Sequence, residues 1–143
     1  MRTLLALLLA LAALPATAAD GTLKPFVLAS KGAGDPAALA AEARTKVEGA
    51  GFQVIGSYEP YPGATVLAVT NGFLQAAAAA VPNTSFGAVQ RVTVTKVGDE
   101  VQVAFTNPSY MQHAYRMKTD LGSVGRRLAA ALGSLEEIGR AHV

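Results

Sequence analysis

The chain has 143 residues, 12 Lys+Arg against 10 Asp+Glu, and no cysteine. The missing thiols exclude disulfides, thiol catalysis and thiolate metal sites. Two of the basic residues, Arg2 and Arg140, sit in segments set apart below from the domain, so its charge is near zero and gives no reason to expect nucleic acid or anionic lipid as partner.

In chain order, Met1-Arg2 is followed by an eleven-residue Leu/Ala run, Leu4 to Leu14, then Pro15 and Ala16-Thr17-Ala18. A short positive start, an apolar stretch and a small-x-small site form a secretory signal peptide over residues 1–18. The run is shorter than the roughly 20 residues that span a bilayer, so no membrane span is expected after cleavage, and the address is periplasmic or secreted. Residues 19–137 then form a single α+β domain. At about 120 residues it is long enough to bury roughly two thirds of its unfolded surface.

Phe26 to Ser30 reads as a first strand. Asp35-Pro36 has the form of a helix start, and Leu39, Ala43, Val47 and Ala50 share one face up to Gly51. Glu42 and Lys46 make an i, i+4 pair on the exposed side. Phe52 to Tyr58 is a strand ended by the loop Glu59-Pro-Tyr-Pro-Gly63, and Ala64 to Thr70 is a buried β-branched strand. Asn71 caps a second helix, Gly72 to Val81, whose Ala76–Ala80 run suits close packing on a sheet. Ser85 to Val97 and Glu100 to Thr106 alternate with period two around Gly98-Asp99, a Gly-first hairpin turn. Asp120 opens a last helix, with Leu121, Val124, Leu128 and Leu132 buried and Gly133 at its end. The order β-α-β-β-α-β-β-α predicts a two-layer sandwich, a largely antiparallel sheet with helices on one face.

The tail Ile138-Gly-Arg-Ala-His-Val143 has the sequence of a translated short-read sequencing adapter with its stop. Residues 138–143 are therefore expected to be non-native, and the domain to be truncated near Glu137.

Val66-Leu-Ala-Val-Thr-Asn71 leading into a helix, Val92-Thr-Val-Thr, the hairpin, and Val101-Gln-Val-Ala-Phe-Thr-Asn-Pro108 together resemble the bacterial domain-of-unknown-function family 302, over residues 36 to 133. The resemblance implies a compact α+β sandwich, often a homodimer, with no settled biochemical role. Some relatives carry cysteines where this chain has Thr70 and the stretch Ala88–Gln90, so a thiol-dependent role does not carry over.

Functional chemistry is densest in Asn107-Pro-Ser-Tyr-Met-Gln-His-Ala-Tyr-Arg-Met117. Asn-Pro suits a helix start, and a helix over 108–117 would set Tyr110, His113 and Met117 on one side, with Met111 and Tyr115 on another. Three readings stay open. The first is a binding or accessory domain that holds a small ligand or a periplasmic protein through Tyr110, His113, Tyr115 and Arg116, with Tyr58 and Tyr61 as a second contact surface. The second is a copper or haem carrier with His113 and Met117 as ligands, since thioether suits Cu(I) and imidazole suits Cu or Fe. The third is a small hydrolase or isomerase. Ser109 lies four residues before His113, but no oxyanion signature accompanies it, and no catalytic residue is assigned. Packing of aromatic and Met side chains into a core is the plain alternative to all three.

Overall fold

The computed structural model describes residues 22–141. The leader 1–18 and His142 lie outside that range. The described chain is an α+β fold: β1 (Phe26–Gly32), α1 (Pro36–Gly49), β2 (Gln53–Tyr61), β3 (Ala64–Thr70), α2 (Gly72–Ala79), a 3-10 turn at Ser85–Ala88, β4 (Gln90–Val97), β5 (Glu100–Thr106), α3 (Pro108–Ala114), α4 (Gly122–Leu132) and β6 (Glu136–Ile138). The six strands make one open antiparallel sheet in the order β2-β3-β4-β5-β1-β6. No helix among the described residues is long and apolar enough to cross a membrane.

The expected caps form. The Asp35 carboxylate accepts from the Ala38 amide at 2.8 Å, and Asn71 Oδ1 accepts from Leu74 at 2.9 Å. Both groups satisfy helix N–H donors that have no partner inside the first turn. Gly51 takes φ +85 where α1 ends, and Gly98 takes φ +62 at the first central position of the β4–β5 turn. Only glycine enters that left-handed region without a Cβ clash. Glu42 and Lys46 pair at 2.7 Å on the exposed side of α1.

The core lies between one sheet face and the helices. Ala40, Ala43 and Val47 of α1, Leu74, Ala77 and Ala78 of α2, and Val124, Leu128 and Leu132 of α4 meet Leu67, Val69, Val92, Val94, Val103 and Phe105. Burying a residue such as Leu74 or Leu128 contributes about 2 kcal/mol, so this layer dominates stability. Ala77 and Ala78 of α2 are buried in this core, and the close neighbour of the helix is the 3-10 turn that follows it.

Several boundaries differ from the sequence reading: β1 runs on to Gly32, α2 ends at Ala79 and not Val81, α4 starts at Gly122 with Leu121 and not Asp120 at its cap position, and β6 was not expected. Three further differences bear on the site. Residues 59–61 are not loop: β2 continues through Pro60 to Tyr61, with register shifts between Val54 and Gly56 and between Tyr58 and Tyr61. Proline lacks a ladder donor but is tolerated on an edge strand, and β2 is an edge. Ser85–Ala88 forms a 3-10 turn instead of the start of β4. The Thr84 hydroxyl donates to the carbonyls of Ala78 and Val81, both at 2.7 Å, and folds this segment back onto α2. Lastly, α3 stops at Ala114 and does not reach Met117.

Candidate functional site

Asn107 builds the entry to α3. Its Oδ1 accepts from the Ser109 amide at 3.2 Å, and its Nδ2 donates to the Lys24 carbonyl at 2.9 Å. Its backbone N–H donates to the Pro25 carbonyl at 2.8 Å. One buried residue therefore caps α3 and ties it to the strand that precedes it in space. Pro108 follows at the first helical position, buried against α4, where a Cβ on Gly125 would lie 3.5 Å from its ring.

The other end of α3 closes through two bonds. Arg116 N–H donates to His113 O at 3.1 Å, and Met117 N–H donates to Gln112 O at 2.9 Å. That pattern is a Schellman motif, and it requires the residue between the helix and Met117 to be left-handed. Arg116 fills that position at φ +54, where glycine is usual. The chain reverses there, so Met117 turns into the core and Arg116 stays exposed.

This reversal decides where the candidate residues go. Met117 is buried, and its thioether fills the space a side chain on Gly87 would need. His113 is exposed on α3, with Nδ1 2.7 Å from the Ser109 carbonyl oxygen. A carbonyl only accepts, so Nδ1 carries the hydrogen and Nε2 is the nitrogen left for another contact. The helix face expected to hold Tyr110, His113 and Met117 together is therefore not formed, because Met117 lies beyond the helix and faces the core. A copper or haem centre would keep His113 as its donor here, without the thioether. Among the described residues no group of three or more His, Asp or Glu could hold a metal ion. Ser109 meets His113 through its backbone carbonyl, not as a hydroxyl nucleophile facing a base.

Tyr115, half-buried, packs against the core and stacks on Phe86, with ring centroids 6.2 Å apart and planes inclined by 26°. Phe86 is 75% exposed. Sequence reasoning placed Phe86 in a strand and missed it; the signal was the Pro82-Asn83 turn just before it. Asn83 takes φ +66 and helps swing the 3-10 turn outward. Tyr110 is half-buried on α3. Tyr58 and Tyr61 are 56% and 42% exposed on β2. They are not joined to the α3 surface, since β3 and β4 separate β2 from the strand that leads into α3.

A cavity of about 290 Å³ opens beside the start of α3. Val27, Phe105 and Pro108 form its apolar floor, and Ser109, Arg126 and Glu137 its polar edge.

No family model matches the chain, and no curated protein matches it.

Proposed function

We propose that the chain is a small exported binding or accessory domain that contacts a periplasmic protein through the ridge made by Phe86 and Tyr115. One observation carries this reading: a phenylalanine ring three-quarters in solvent is held in place by a stacked tyrosine. Exposed aromatics on a rigid support offer a large contact area at a small entropic cost, and such residues dominate binding energy at protein interfaces. Arg116 and His113, both exposed, flank Tyr115 along the chain and supply hydrogen-bond donors at the rim. The likeness to domain-of-unknown-function family 302 belongs to the same reading and adds no mechanism to it. Periplasmic location rests on the leader sequence alone.

The test is a photo-reactive phenylalanine analogue placed at Phe86 in the native host, with the same analogue at exposed Glu100 as control. A discrete cross-linked species at Phe86, absent at Glu100 and lost when Tyr115→Ala is added, is the expected result. Equal or absent cross-linking at both positions would remove the proposal.

A further inference from the structure

The cavity beside the start of α3 carries two opposite charges that do not meet. Arg126 lines it from α4 and Glu137 from β6. They form no ion pair with each other, and among the described residues Arg126 has no ion pair at all. Asp120 approaches Arg126 over Gly122, but its Oδ1 accepts from the Gly122 amide at 2.8 Å. Glu137 is held in place: its Oε2 accepts from the Lys24 amide at 3.0 Å, which leaves Oε1 for another contact. Ser109 and Ser134 stand on the same edge, and among the described residues neither hydroxyl has a partner.

Below these polar groups the floor is apolar. Val27 and Phe105 are buried there, with Pro108 and Ala129 beside them. Gly125 keeps the space open. A Cβ on it would lie 3.5 Å from the Pro108 ring, an ordinary contact, and its φ is not left-handed. Neither packing nor backbone therefore requires glycine, a residue that weakens a helix interior relative to alanine. Its missing side chain leaves room in the cavity.

We propose that this cavity binds a free α-amino acid with an aliphatic side chain. The ligand's carboxylate meets the Arg126 guanidinium, whose paired N–H donors match two carboxylate oxygens. Its ammonium donates to Glu137 Oε1, and its side chain rests on Val27, Phe105 and Pro108. The charge pattern selects a zwitterion: a ligand with one charge satisfies one of the two walls and takes water from the other without replacing its bonds. The size agrees. At about 290 Å³ the cavity lies at the low end of the roughly 300–1,000 Å³ of small-molecule sites, which suits a ligand of few atoms. Neither Phe86 nor Tyr115 lines it, so it is a site apart from the aromatic ridge.

Isothermal titration calorimetry of the full chain with L-leucine tests this. Isocaproic acid, which is leucine without the ammonium, and isoamylamine, which is leucine without the carboxylate, are titrated beside it. Saturable binding of leucine is expected, with each analogue about tenfold weaker for the loss of one charged contact. Arg126→Gln should weaken leucine by a similar factor and leave isoamylamine unchanged. Glu137→Gln keeps an acceptor for the Lys24 amide; it should weaken leucine and leave isocaproic acid unchanged. Urea denaturation confirms that both variants are folded, as expected for exposed side chains. An absence of leucine binding at millimolar concentration would overturn the proposal. So would an analogue that binds as tightly as leucine, or leucine affinity that neither substitution changes.

Discussion

Gly87 and Met117 show how one small residue directs another. A Cβ at Gly87 would meet the Met117 thioether, so the absence of a side chain in the 3-10 turn is what lets the methionine enter the core after the Arg116 reversal. Overfilling a packed site costs roughly 1–3 kcal/mol. Gly87→Ala is expected to lose about that much in urea denaturation. Met117→Ala alone leaves a cavity and is also destabilising. The two together should lose less than the sum of the single changes, because each relieves the other, and a double-mutant cycle measures that coupling. Strict additivity would show that the two residues do not compete for the same space. The same pair explains why the sequence suggested a metal site there. Methionine beside histidine at helical spacing carries no mark of which will be buried; that depends on a glycine some thirty residues earlier.

At the scale of elements, α3 is closed by the wrong residue for its geometry. Arg116 occupies a left-handed position that costs an L side chain roughly 1–2 kcal/mol, and glycine would remove most of that cost. Among the described residues Arg116 forms no ion pair that would offset it. Arg116→Gly is expected to raise stability by about 1 kcal/mol and the melting temperature by a few degrees, read by calorimetry. A lower melting temperature would mean that the guanidinium has a structural partner. This position also marks where the sequence stopped being legible. The ends of α1 and the β4–β5 hairpin were readable because Asp35-Pro36, Gly51 and Gly98-Asp99 are the residues those turns demand. The end of α3 was not, because arginine gives no signal of left-handed backbone. Likewise Pro60 looked like the close of a strand. Only the position of β2 at the sheet edge, a property of the whole sheet, makes a proline acceptable inside it. Phe86 was hidden for a third reason: period-two alternation through Ser85–Val97 concealed a 3-10 turn held by the Thr84 hydroxyl.

For the molecule as a whole, the sheet edges are treated differently. At one edge β2 is nine residues long, with two register shifts, and Pro60 lies within the second of them. At the other, three residues of β6 cover β1, whose Val27, Leu28 and Ala29 are all buried. Ending the chain after Leu135 would leave β1 as a bare edge of apolar residues, a template for pairing with other chains. Such a protein is expected to form dimers and larger aggregates by light scattering, with a lower melting temperature. A monomer of unchanged stability would show that β6 is dispensable. The antiparallel sheet with helices on one side was readable from the alternation of elements. The place of β1 within it was not, since pairing between Phe26 and Thr106 leaves no local trace. That placement has a consequence in time. β2 to β5 pair with their neighbours in sequence and can assemble as they appear, whereas β1 is made first and seated late, between β5 and β6. β1 therefore stays without its sheet neighbour until β5, ending at Thr106, has been made.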